Sequence, residues 1–453
     1  MLKLVLPGVV VLGIVIFVHE LGHFVMAKLR GVRVTRFSAG FGPPLWSVQR
    51  GGTEYRLAWF PLGGYVQMAG DGPAEDGSMP AGGREEFLSH PWFGRVLIAL
   101  AGPLANLVMA FLVMVVVALV GVSYPDFTAE LGAVADTTRA HRAGLRAGDR
   151  VVEVAGSPVG SWWTFLLAGE AVRKDSALAL VVERGTERIA LTLAAQEREA
   201  VLRGLRPLPN PPIVGMVVTG MPAYKAGLKE GDRILAVNGA PVSVWEDLPV
   251  ALGGQTDRAV ALRVQRGTRT FDISVTPMSS GDGRGGRIGI EAPRQGVYVE
   301  RYGALQALQL GLRATVALVG NVYQGMWLMV SRPLYYSEYM GGPLYIAQAA
   351  AEQARRGVDS FLQFLALINI AIMAFNLLPL PILDGGHILL AVSQAVRGRA
   401  ISGRGYVRFQ KVGLVVIGVL FLWILANDPM RIVRRQQALH KAPQERTVAP
   451  SPP

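Results

Sequence analysis

The sequence predicts a multi-pass α-helical membrane protein: four transmembrane helices, a membrane-associated β-hairpin, and two inserted domains that duplicate one another. Three observations predict it. Apolar residues make up 51% of the 453 and charged residues 17%, and the apolar ones come in blocks near the ~20 residues that span a bilayer. Basic residues cluster beside those blocks, so the net charge of +12 reads as membrane topology rather than a nucleic-acid surface. Between the second and third blocks the composition turns soluble, and the chain repeats itself. The sequence has no cysteine, which excludes disulfides, thiolate metal sites and thiol nucleophiles. A metal must therefore be held by His, Asp, Glu or Asn, and the histidines are His19, His23, His90, His141, His387 and His440.

The first span, residues 1–28, carries His19-Glu20-Leu21-Gly22-His23, an H-E-x-x-H pattern. On a helix His19 and His23 sit at i and i+4, so both imidazoles leave one face and can share a zinc ion. Glu20 lies one step round the turn, where a carboxylate can take a proton from water without ligating. Three ionisable groups in so apolar a run are costly unless something binds them, which marks a functional site. A cleaved signal peptide does not fit, because no A-x-A-like site precedes the polar cluster and the apolar run continues past it. Lys28, Arg30, Arg33 and Arg36 come after the span against Lys3 alone before it. The amino terminus is thus expected outside and the motif in the cytoplasmic half of the helix.

Residues 37–70 hold Gly40-Phe41-Gly42 and short β-rich runs around residues 54–60 and 63–68, including Tyr65 and Val66. They read as hairpins. Between two spans they either re-enter the membrane under a protein cover or form an ordinary soluble hairpin. Residues 71–94 begin as an acidic, glycine-rich loop. The second span, 95–120, contains Gly102-Pro103-Leu104-Ala105-Asn106; Asn106 either supports a metal site or bonds a neighbouring helix.

The inserted domains are expected at 127–197 and 212–278. Ala143-Gly144-Leu145-Arg146-Ala147-Gly148-Asp149-Arg150-Val151 answers to Ala226-Gly227-Leu228-Lys229-Glu230-Gly231-Asp232-Arg233-Ile234, and the same register carries Gly132 to Gly215 and Trp162 to Trp245. A register held that long means duplication.

Residues 296–356 are expected as interfacial amphipathic helices, because Gln306, Gln309, Arg313, Asn321 and Gln324 interrupt the apolar run at 304–330. The third span, 360–383, ends in Asn376-Leu377-Leu378-Pro379-Leu380-Pro381-Ile382-Leu383-Asp384-Gly385-Gly386-His387. Its prolines break the helix, which is tolerated where backbone lines a cavity. Asp384 would complete a His₂-carboxylate zinc site, with the fourth position left to water; His387 is the rival third ligand. A fourth span, 408–427, comes after Arg397, Arg399, Arg404, Arg408 and Lys411. With four spans, the repeats lie outside and Asp384 arrives on the same side as His19 and His23. The basic tail, 428–453, would then lie outside, against the charge rule.

These motifs together resemble the site-2 protease family of zinc intramembrane metalloproteases, and specifically its bacterial group with tandem PDZ domains; the resemblance implies that the two inserts are α+β domains of the partly open β-barrel kind. The resemblance covers nearly the whole chain: the H-E-x-x-H, the G-F-G segment, the A-G-L-x-x-G-D repeats and the N-x-x-P-x-P-x-L-D-G-G of Asn376–Gly386. It implies one zinc ion on His19, His23 and Asp384, with Glu20 as catalytic base. It further implies that Asn376, Pro379 and Pro381 shape the substrate channel, and that Gly40, Phe41, Gly42, Tyr65 and Val66 belong to a membrane-embedded strand pair that holds the substrate extended. The implied substrates are single-span membrane proteins trimmed beforehand, such as anti-sigma factors or remnant signal peptides, in the bacterial inner membrane. The loops before Gly132-Ala133-Val134 and Gly215-Met216-Val217 are where PDZ domains would capture peptide C-termini, unless the repeats are spacers. A membrane-anchored scaffold would have no reason to keep Glu20 and three metal-binding side chains. A metal transporter would need a polar path across, and one polar cluster on one side does not supply it.

Overall fold

The computed structural model describes residues 2–72, 82–173, 175–279, 285–293, 296–332, 342–398, 402–419 and 422–423. The chain divides into two compact units, one formed by Met1–Val122 and Arg301–Met430, the other chiefly by Ser123–Glu300. Most of the expected loop at 71–94 lies inside the described residues, but its centre and the whole tail at 428–453 lie outside them.

Among the described residues of the first unit, three helices are long and apolar enough to cross a membrane: Leu6–Leu29, Trp92–Val120 and Val358–Asn376. The first lies within helix α1 (Leu2–Leu29) and the second is helix α2 (Trp92–Val120). Glycine sets their spacing. A Cβ on Gly22 would overlap the Ala101 carbonyl, and one on Gly102 would overlap the His23 ring. The two backbones therefore approach closely where α1 carries its polar residues, the small-residue contact typical of membrane helices. Farther along, Val11, Val15, Ala110, Val113, Leu365, Ala366 and Ile370 form a shared core.

The third span stops at Asn376, before the 383 suggested by the sequence. Pro379 and Pro381 supply no N–H to continue the helical ladder. The chain crosses the break irregularly, with Ile382 at φ +78°, and a new helix, Asp384–Arg397, begins at the carboxylate. Gly385 and Gly386 sit where any Cβ would overlap the carbonyls of residues 377, 378 and 380. The double glycine is what lets the chain fold back so tightly. Of the expected fourth span, residues 403–419 are helical, with Val412, Leu414, Val415 and Val419 exposed; most of residues 420–427 lie outside the described residues.

The helix Ala304–Ser331 buries Ala307, Gly311 and Thr315, spaced by four, and exposes Leu305, Leu312, Val316 and Trp327. Its inner stripe packs on α2, where Gly311 lies against Val115.

Strands β1 (Val34–Arg50) and β2 (Thr53–Met68) form one long hairpin. Gly51 and Gly52 both have positive φ, +58° and +75°, the requirement of a two-residue type I′ turn. The hairpin also folds on itself. Phe37 pairs with Val66 on one side and Tyr55 on the other, and Ser38 with Tyr65 and Arg56. The segment 36–39 is thus enclosed, which leaves 64–68 as an outer edge. Val34 and Phe37 are buried, with Phe37 against Phe24 of α1 (ring centroids 5.0 Å). Residues 41–50 are exposed on both faces, Leu45 and Trp46 among them.

In the second unit the duplication is visible strand by strand. One four-stranded sheet runs 157–158, 150–154, 178–184, 187–193; the other runs 240–241, 233–237, 260–266, 269–275. Each repeat has its own core, around Phe165 and Leu180 in the first and Ile234 and Leu262 in the second. The repeated Gly-Asp is explained by one network made twice. Fully buried Asp149 accepts from Arg146 N–H (2.8 Å) and from Arg184 Nε (2.7 Å) and Nη2 (2.9 Å), while Arg184 also donates to the Gly144 carbonyl. Asp232 does the same with Lys229 N–H, Arg266 and Gly227.

The donors of the loops before 133 and 216 are already used by the chain. Gly132 N–H bonds Arg206 O and Gly215 N–H bonds Glu291 O (both 2.9 Å), and Met216–Val217 pair with Ile290–Glu291. Peptide capture at those loops would displace strand pairing that is already formed. An open groove of about 500 Å³ lies instead between the helix Asp247–Gly253 and residues 286–291, lined by Leu248, Leu252, Ile288 and Ile290. The first repeat departs here, carrying a helix, Ala195–Gly204, whose Leu202 packs on Gly169.

Candidate metal centre

His19 and His23 project from one face of α1, a turn apart, and both are 7% exposed. Their Nε2 atoms lie 3.1 Å apart. Asp384, at the start of its helix, brings Oδ2 to 3.1 Å from His19 Nε2 and Oδ1 to 3.3 Å from His23 Nε2. Among the described residues this is the group of side chains able to hold a metal ion. The spacing is itself a test of fit. With ligand bonds of about 2.0–2.2 Å, the edge of a tetrahedron around zinc is roughly 3.3–3.6 Å, close to the 3.1–3.3 Å seen here. Asp384 Oδ2 is buried and receives no directed hydrogen bond, an orphan acceptor that a cation would satisfy.

The hydrogen bond at the far nitrogen fixes the tautomer of His23. Its Nδ1–H donates to the Ile98 carbonyl at 2.8 Å, which leaves Nε2 with a lone pair directed at the cluster. At His19 the neighbour of Nδ1 is the Asn106 amide, 3.3 Å away, and Asn106 is fully buried. Asn376 places its amide nitrogen 3.3 Å from His19 Nε2. Val66 lines the same cavity as Glu20, and Gly64 is so close that a Cβ there would lie 3.4 Å from Glu20 Cγ. The outer edge of the hairpin therefore runs directly over the glutamate.

The model of peptidase family M50 matches residues 7–421. The chain belongs to peptidase family M50. That is the site-2 family of intramembrane zinc metalloproteases, as its motifs suggest. Over 463 residues it is 32% identical to the regulator of sigma-E protease RseP of Escherichia coli K12, covering 94% of this chain and 98% of that one. Over 446 residues it is 32% identical to NMA0084 of Neisseria meningitidis, which carries a zinc metalloprotease name (93% and 97% covered). It is 29% identical over 447 residues to the regulator of sigma E protease of Haemophilus influenzae (94% and 98%).

The M50 motifs are brought together unevenly. His19, Glu20, His23, Asp384, Asn376, Tyr65 and Val66 all line one cavity of about 570 Å³. Gly40, Phe41 and Gly42 do not line it; Phe41 stacks on Tyr65, which does (centroids 6.2 Å, planes 12° apart). Gly40 and Gly42 have φ of +97° and +92°, backbone that favours glycine. Pro379 and Pro381 do not line the cavity either; Pro381 abuts Gly413. His387 lines the cavity but stands outside the metal-capable group, with its ring edge-on to Phe87 at 6.1 Å.

The motif reading did not single out Asp71, Ile98 or Gln410, which also line the cavity. Partial desolvation at the cavity pushes the carboxyl of Asp71, an exposed residue, above its ordinary value. Ile98 acts through its carbonyl, which no side-chain pattern reveals. Asp71 had a weak signal as the first acid after the hairpin.

Proposed function

We propose that this chain is an intramembrane zinc endopeptidase that cuts single-span substrates next to the β2 edge, using His19, His23 and Asp384 as metal ligands and Glu20 as base. The carrying observation is the 3.1–3.3 Å triangle of two imidazoles and a carboxylate, drawn from helices 361 positions apart in sequence (384 − 23). Zinc, when bound, supplies Lewis acidity, acidifying a water and polarising the scissile carbonyl. Glu20 takes the proton of the attacking water and returns it to the leaving amine. The hairpin backbone at Gly64 packs closely over that side chain. Asn376, with its amide nitrogen at the ligand cluster, is placed to donate to the oxyanion that develops on the carbonyl.

A substrate helix hides its carbonyls in i→i−4 bonds and must unwind before attack. The 64–68 segment offers replacement partners, since it is an outer edge and lies along the cavity. An extended substrate added there gains main-chain hydrogen bonds in register. Phe41 stiffens this edge by stacking on Tyr65, and Pro379 and Pro381 hold open the break from which Asn376 and Asp384 face the cavity.

The proposed orientation has the amino terminus and the repeats outside and the metal site toward the cytoplasm of a bacterial inner membrane. We read the repeats as PDZ domains. A peptide end would dock in the groove of the second repeat beside Ile288 and Ile290, and the pair would exclude substrates with bulky outer domains. Anti-sigma factors already trimmed outside, or remnant signal peptides, are the substrate classes that fit.

The test is expression with a tagged, externally truncated single-span protein, comparing wild type with Glu20→Gln alongside zinc analysis. Cleavage by wild type and none by the variant, with zinc retained in both, supports the reading. Equal cleavage by both refutes it.

A further inference from the structure

The two candidate ligand histidines are not supported alike. For His23 the second ring nitrogen has an unambiguous acceptor, the Ile98 carbonyl. For His19 the group at that position is an amide whose nitrogen faces Nδ1 at 3.3 Å, while its oxygen is buried with no partner. The two halves of an asparagine amide are set by the hydrogen-bond network, and turning it by 180° exchanges them. A histidine that ligates through Nε2 carries its proton on Nδ1. With the amide nitrogen toward it, two donors would meet.

We propose that Asn106 is a positioning residue that presents its side-chain oxygen, not its NH₂, to His19 Nδ1–H, and so fixes the metal-binding tautomer of His19. The inference deepens the reading of His19 as a ligand and rests on it. Asn376 cannot serve instead, because its amide lies on the Nε2 side of the ring. The alternative, that Asn106 bonds a neighbouring helix backbone, finds no such bond among the described residues; its one hydrogen-bonding contact there is with His19. In this arrangement α2 supplies both acceptors, Ile98 O and Asn106 Oδ1, two turns apart. The ligand pair on α1 is therefore oriented from a single neighbouring helix.

The experiment uses the full-length protein in detergent and measures zinc affinity by chelator competition, together with thermal unfolding of the metal-free form. Asn106→Leu removes the acceptor at similar volume, and zinc affinity should fall about 10- to 100-fold, the usual effect of deleting such a supporting bond. Asn106→Asp supplies only acceptors and should hold zinc within about threefold of wild type, as a carboxylate–histidine pair does. If the amide acted as a donor, Asp would lose zinc as Leu does, and the proposal fails. A purely helix-packing role would lower the unfolding temperature of the metal-free form in both variants and leave the affinity of folded protein unchanged, which also overturns it. A wild-type protein that takes up no zinc would refute the ligand assignment itself.

Discussion

Replacing Gly102 by alanine should damage the metal site from a helix that contributes no ligand. The added Cβ would fall within contact distance of three atoms of the His23 ring, Nε2, Cε1 and Cδ2. The ring cannot yield freely. It is held at Nδ1 by Ile98 O at 2.8 Å and faces Asp384 Oδ1 at 3.3 Å. Either α1 and α2 separate, giving up the contact at Gly22 and Ala101, or the imidazole swings out of the cluster. Overpacking of this kind costs about 1–3 kcal/mol. Taken wholly from the bound state, that is a loss of about 5- to 150-fold in zinc affinity, at about 1.4 kcal/mol per tenfold. The assay is chelator competition on purified protein. Gly320→Ala is the control, since nothing lies within 4 Å of the Cβ it would add; it should leave affinity unchanged and support its helix slightly. Wild-type affinity in Gly102→Ala would refute the close-approach argument.

Other outcomes rest on the same geometry. Glu20→Gln should keep its zinc while peptide hydrolysis falls about 10²- to 10⁴-fold, the range for removing a general base, as read by cleavage of the tagged substrate. Asp149→Asn and Asp232→Asn each leave a bidentate arginine without its carboxylate. Each should cost about 2–4 kcal/mol in denaturant unfolding of the repeats, without changing zinc content. Asp71, though exposed, has its carboxyl raised by partial desolvation, so the folded state holds its proton more tightly than the unfolded chain. Stability from this group is present at acid pH and is lost as pH rises from the ordinary carboxylate value through the raised one. Asp71→Asn should therefore raise the unfolding temperature at about pH 7 and leave it unchanged near pH 3.

Much of this was legible in the residues. The H-E-x-x-H carried its own geometry, because i and i+4 fall on one helix face whatever surrounds them. Pro379 and Pro381 announced a broken helix, and the fixed register between Gly-Asp motifs announced a duplication. The hidden parts depend on backbone and on distance along the chain. That Ile98 offers a carbonyl to His23 has no side-chain signature. The doubling back of β1 and β2 rests on a register in which Phe37 has two partners, which alternation along one strand cannot express. That residues 290–291, far along the chain, pair with 216–217 was hidden for the same reason, and only the fold reveals it. Gly102 was visible as a small residue; what it made room for was not.

The central claim is that two histidines from one helix and a carboxylate from another hold a single ion. The most direct measurement is zinc stoichiometry with X-ray absorption on the purified protein, wild type against Asp384→Ala. One zinc per chain, with two imidazole nitrogens and oxygen at about 2.0–2.2 Å, and a loss of metal or of one oxygen ligand in the variant, is the predicted result. An unchanged coordination shell in Asp384→Ala, or a shell without histidine, would contradict it.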